Sequence, residues 1–294
     1  MKSLIRTSLA ALALVPLLAV AGEASRLDRA AAAAQVLVDE AAASGIRVSV
    51  GLADISGTDG SVRIVGSRDS YNPASTIKLA LMATVLRQMD RGMLDLDAPV
   101  SISPYMVVGG SGELQHKDMP HDTTVGEVTR RMVVHSDNTA TNVMLYYVGL
   151  ATVQELLDDL GLETMKFNRQ MFPGDRIPQP ANVIDAADTI ALLQAIHAGD
   201  LLSEASRAQA MEWMRGQEVH TKFGAVLDNA LIAHKTGETG KVTHDVGYFL
   251  IPGHETIVTV FTEVEASDSY AETMRIGNPV IQEIAQAVWA GLLP

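Results

Sequence analysis

A serine hydroxyl and a lysine amine stand three residues apart at Ser75-Thr76-Ile77-Lys78. On a helix this spacing puts both on one face. Serine becomes a nucleophile only when a base takes its proton, and Lys78 can be that base if burial and a second cation depress its pKa. Two further signatures follow in order, Ser136-Asp137-Asn138 and Lys235-Thr236-Gly237. Ser136 can pass a proton to a leaving group and Asn138 can hold a substrate amide. Lys235 is the candidate second cation, and with Thr236 it would face a cleft and bind a carboxylate. Gly237 would let substrate approach a strand edge. The N–H groups of Ser75 and Glu238 would then flank a developing oxyanion. Each signature alone is common, but the ordered trio reads as an active-site serine hydrolase. His135 beside Ser136 and Asp137 adds nothing, because a Ser-His-Asp triad forms in space rather than along the chain.

The elements that must position these groups follow from periodicity. Leu27, Ala30, Ala34, Leu37 and Val38 recur at helical spacing, predicting a helix over 26–43. Alternation predicts strands at 46–55 and 61–65, joined by a turn at 56–60. Asn72 as a cap and Pro73 at the first helical position predict a helix from 73 to about 89, which places Ser75 in its first turn. Helices are expected at 125–132, 139–148, 153–160 and 184–198, and a long ordered loop with Pro173, Pro178 and Pro180 at 166–182. Strands return at 231–235, 244–251 and 256–262, before a final helix over 269–292. The expected architecture is α+β: one sheet built from both ends of the chain, about 26–72 and 215–294, carrying a mainly helical part at about 73–214.

Composition bounds the rest. The chain has 294 residues, 47% of them hydrophobic, enough for a sizeable core. Basic residues at the start, an apolar run from Leu9 to Ala21 interrupted by Pro16, and small residues before Gly22 predict a signal peptide over 1–21, with the mature domain at 22–294. The run is too short for an anchor, so a periplasmic or secreted protein without a membrane anchor is expected. A net charge of -13 argues against a nucleic-acid partner. With no cysteine, disulfides and thiolate chemistry are excluded, and the eight histidines show no metal-ligand spacing. No metal or cofactor is expected.

With these residues in view, the chain resembles the class A serine β-lactamases and related penicillin-binding enzymes, whose three motifs match its own. The runs Gly110-Ser111-Gly112-Glu113-Leu114-Gln115 and Ser136-Asp137-Asn138-Thr139-Ala140-Thr141-Asn142 extend the likeness. The resemblance implies an antiparallel sheet flanked by helices, with an inserted helical subdomain and the site between them. It implies Ser75 as the acylated nucleophile, Lys78 as its partner and Ser136 as proton shuttle. Asn138 becomes a substrate contact, and Lys235 and Thr236 the carboxylate anchors. A β-lactam or D-Ala-D-Ala-like peptide is the implied substrate, acted on by a monomer; a D,D-peptidase, an esterase or a non-turnover penicillin-binding sensor are the alternatives.

Two departures qualify this expectation. Aligning Asn168-Arg169 with the family's Asp-Arg places Met171 where class A enzymes carry the glutamate that activates the deacylating water. Glu163 and Asp175 are nearby, and Asp175 is a candidate substitute base. The second is His244, in the strand where many members carry an arginine that helps hold the substrate carboxylate; its imidazole would make such anchoring weaker or pH-dependent.

Overall fold

The computed structural model describes residues 24–57, 61–172 and 179–294. The expected signal peptide, part of the 56–60 turn, and Asp175 lie outside the described residues.

In chain order, helix α1 (Arg26–Ala43) leads into strands β1 (Ile46–Asp54) and β2 (Val62–Gly66). A short 3₁₀ turn, Ala74–Ile77, runs directly into α2 (Lys78–Asp90), and β3 (Pro99–Ile102) and β4 (His121–Thr124) form a small separate ribbon. Helices α3 (Val125–Val134), α4 (Asn138–Val148), α5 (Leu150–Asp159), α6 (Ala186–Ala198), α7 (Glu204–Arg215) and the single turn α8 (Phe223–Val226) follow. Strands β5 (Ile232–Glu238), β6 (Val242–Phe249) and β7 (Thr256–Val264) precede the terminal helix α9 (Tyr270–Leu292). The main sheet has the order β2-β1-β7-β6-β5 and is antiparallel throughout, so the first and last strands of the chain meet at β1 and β7.

Two apolar layers hold this frame. Against one face of the sheet, α1 contributes Leu27, Ala30, Ala34 and Val38, and α9 contributes Ile281, Ile284 and Val288. Their i, i+3/i+4 spacing makes one apolar stripe per helix. Against the other face, the helical part packs around α2, in which every residue from Lys78 to Leu86 is buried. Each fully buried leucine or valine there stabilises the fold by about 1.5–3 kcal/mol. A helix buried all round fixes its first residues firmly, and those residues include Lys78. Among the described residues no helix is long and apolar enough to cross a membrane.

Candidate active site

Ser75 begins where Asn72 caps its own turn. The Asn72 Oδ1 accepts from the Ala74 N–H at 2.9 Å, and Ala74 takes the left-handed conformation at φ 47°. Ser75 therefore lies in a 3₁₀ turn rather than in the first turn of an α-helix, and Lys78 opens α2 behind it. This turn abuts the free edge of β5. A Cβ on Gly237 would lie 2.8 Å from Pro73 O and 3.0 Å from the backbone nitrogens of Ser75 and Thr76. The glycine is thus required for the approach of the Ser75 turn; the expectation that it makes room for substrate is corrected accordingly.

The edge position of β5 also orients its amides. Thr239 N–H bonds Val242 O at 2.9 Å toward β6, and alternation in an antiparallel pair then turns the Glu238 N–H outward from the sheet. Alternation likewise sends Thr236 to the opposite strand face from Lys235. Both side chains are fully buried, so the picture of the two facing a cleft together is also corrected.

Ser136 joins the two lysines. It sits between α3 and α4 at φ 54°, and Asp137 next to it caps α4 by accepting from Ala140 N–H at 2.9 Å. The other Asp137 oxygen accepts from Leu114 N–H, also at 2.9 Å, which ties the glycine-rich 109–112 loop to this turn. Lys78 Nζ donates to Ser136 O at 2.7 Å, to Asn138 Oδ1 at 2.8 Å and to Ser136 Oγ at 3.2 Å. Lys235 Nζ donates to the same Ser136 Oγ at 3.0 Å and to Thr236 O at 2.9 Å. Two lysine amines thus converge on one hydroxyl.

That convergence has an electrostatic consequence. Burial first, and then the Lys235 cation, push the Lys78 pKa well below the ordinary lysine value, against weaker pulls upward from Asp137 and Glu238. Lys235 is itself lowered to about 8, again chiefly by burial; Glu238 opposes the shift and Lys222 adds to it.

A cleft of about 660 Å³ opens above this pair. Ser75, Asn138 and Glu238 line it, together with Gly110 and Ser111 on one side and Thr239, Gly240 and Tyr270 on the other. Its remaining wall is the loop carrying Arg169, Gln170, Met171 and Phe172. Asn142 and Asn182 hold that loop by its backbone. Asn182 Oδ1 accepts from the Asn168 and Arg169 N–H groups at 2.8 and 2.9 Å, and Asn142 bonds both the N–H and the carbonyl of Met171. Among the described residues the left-handed non-glycine positions are Ala74, Ser136 and Phe172, all at this cleft or directly beneath it. Such backbone costs about 1–3 kcal/mol per residue and persists only where its surroundings enforce it.

His244 is elsewhere. Its side chain is fully buried, 4.9 Å from the Phe261 ring and 5.8 Å from that of Tyr71 between centroids. Its Nε2–H donates to Asn72 O at 2.8 Å, and its Nδ1 accepts from Thr262 N–H at 3.1 Å. Burial lowers its pKa to about 4. With both nitrogens engaged and the ring neutral, it cannot hold a substrate carboxylate, contrary to the expectation. It supports the Ser75 turn from below through Asn72. His135 pairs instead with Glu218, 3.0 Å away near the surface.

One residue at this site carried no sequence signal. Lys222, whose side chain is fully buried, forms an ion pair with Glu238 at the end of the cleft. Nothing in Thr221-Lys222-Phe223 marks it as a buried cation; only its meeting with β5 does.

Comparison with known proteins agrees with this geometry. Residues 29–292 match the model of the beta-lactamase enzyme family. The chain is 26% identical over 261 residues, 83% of either protein, to the extended-spectrum beta-lactamase PER-1 of Pseudomonas aeruginosa. It is 31% identical over 206 residues to beta-lactamase AER-1 of Aeromonas hydrophila, covering 67% of this chain and 66% of that one. The solved beta-lactamase of Sphaerobacter thermophilus superposes with a TM-score of 0.80 at 26% identity, over 90% of this chain and 98% of that one. PBP-A shares the fold, with a TM-score of 0.78 at 24% identity over 90% of this chain and 96% of that one. The chain therefore belongs to the beta-lactamase enzyme family, in its class A serine branch.

Proposed function

We propose that this protein is an exported serine hydrolase that opens β-lactams through an acyl-enzyme on Ser75 and releases the product slowly. The observation that carries the reading is the pair of buried lysine amines meeting at Ser136 Oγ beside the Ser75 turn. A lysine whose pKa is forced down holds a larger share of the neutral amine, the form that can act as a base. Lys78 then takes the Ser75 proton as the hydroxyl oxygen attacks the lactam carbonyl. The Ser75 and Glu238 N–H groups stabilise the oxyanion. As the tetrahedral intermediate collapses, the lactam C–N bond breaks, and Ser136 passes a proton to the departing nitrogen, resupplied from Lys78. Asn138, which lines the cleft and accepts from Lys78, holds the substrate amide.

Release requires water and a base. At the expected position the loop offers the Met171 thioether, which cannot accept a proton. The carboxylate that lines the cleft among the described residues is that of Glu238, already engaged by Lys222. Among the described residues the cleft therefore offers no free base, which favours a second reading, a penicillin-binding protein that is acylated without turnover. Incubation with benzylpenicillin followed by intact-mass measurement tests the first step. An adduct of one penicilloyl group, missing in Ser75→Ala, is expected; no adduct, or one that survives Ser75→Ala, overturns serine acylation.

A further inference from the structure

The Lys222–Glu238 pair borders the cleft that Ser75 lines. Lys222 is completely buried, while the Glu238 side chain keeps 11% exposure and lines the same cleft as Ser75. Glu238 is also the residue whose N–H turns out of the β5 edge toward the Ser75 turn. A substrate held there brings any carboxylate next to its amide close to this pair. Burial alone would raise the Glu238 pKa, but the Lys222 cation, assisted by Lys235, holds it below the ordinary glutamate value. The carboxylate is therefore charged at neutral pH. It spends the charge of Lys222 and faces any second anion with repulsion rather than attraction.

We propose that Glu238 is a specificity-determining residue: its carboxylate fills the anion-holding end of the cleft, so the site discriminates against substrates bearing a carboxylate beside the reactive amide. A neutral substrate leaves the ion pair intact. An anionic one must displace Glu238 from Lys222 or bind without that cation, and leaving one member of a buried pair alone is expensive. The same reasoning separates Lys222 from Lys235. Lys235 is tied to Ser136 and Thr236 on the opposite strand face, so Lys222 is the cation that removal of the Glu238 charge would free.

This inference rests on acylation of Ser75, and the experiment keeps the two apart. Second-order acylation rates are measured for benzylpenicillin and for its methyl ester, which lacks the carboxylate, with the wild type and with Glu238→Gln. The wild type is expected to react with the ester at least as fast as with the acid. Glu238→Gln should raise the acid-to-ester ratio of acylation rates by about tenfold or more, because a freed cation attracts only the anion. A wild type that prefers the acid by more than tenfold overturns the proposal without needing the variant. So does a variant in which acid and ester change equally. No Ser75 adduct with either compound overturns the acylation reading itself.

Discussion

Asn142 grips the backbone of Met171 at both ends, accepting from its N–H at 2.8 Å and donating to its carbonyl at 2.9 Å. Because Asn142 lies one turn beyond Asn138 on α4, position 171 is fixed relative to the floor of the cleft. Met171→Glu puts a carboxylate on that clamped backbone. The lifetime of the penicilloyl adduct should shorten by about 10²–10⁴-fold, the usual contribution of a general base. Intact-mass decay measures it, and an unchanged lifetime would mean that water is activated from another position.

Ser136 Oγ lies 3.2 Å from Lys78 Nζ and 3.0 Å from Lys235 Nζ, so the two amines titrate as a coupled pair. Acylation needs one neutral amine and one charged one. Its rate should rise with pH as Lys78 loses its proton, and fall above about pH 8 as Lys235 does. Lys235→Arg should remove the alkaline fall, because a guanidinium stays charged. A flat wild-type profile to pH 10 would contradict the assignment.

His244 predicts an effect on stability rather than on substrate binding. Its folded pKa of about 4 lies below the 6.5 of an unhindered imidazole. The unfolded chain therefore binds the proton first, and stability falls as pH drops from about 6.5 toward 4, by about 3 kcal/mol in all. Glutamine can donate and accept much as the neutral ring does. His244→Gln should flatten this part of the denaturation-against-pH curve, and an unaltered slope would place the titrating group elsewhere.

Gly237 predicts the opposite balance. In Gly237→Ala the new methyl meets Pro73 O and the Ser75 nitrogen, both backbone atoms that cannot rotate away. The Ser75 turn must shift, costing about 1–3 kcal/mol of stability and about 10²-fold in acylation, as misplacement of a reacting group by about 1 Å does. Thermal unfolding and acylation rates on the same variant check both parts. Unimpaired acylation would show that the turn tolerates the displacement.

What was legible in the sequence follows the range of the forces involved. Helices α1 and α9 were readable to within a residue because their apolar stripes are local patterns, and Ser75-to-Lys78 spacing is local too. The β3–β4 ribbon was not foreseen, since His121-Asp122-Thr123-Thr124 shows no apolar alternation and pairs only through β3. The role of His244 was misread because a strand histidine looks the same whether it faces substrate or core; Tyr71 and Phe261 decide it, and both are distant in sequence. Lys222 was missed because its significance depends on Glu238, sixteen residues away on another element. Proximity of Lys235 to Lys78 was anticipated from chemistry, whereas Ser136 Oγ as their meeting point and the left-handed backbone at Ala74 and Ser136 were not.

If Ser75 is acylated faster than it is released, a stopped-flow progress curve with a chromogenic cephalosporin separates the two steps. A burst of colour equal to one equivalent of protein is expected, then a much slower steady rate, with the acyl adduct persisting by mass through that phase. A linear curve with rapid turnover and no accumulating adduct would contradict it.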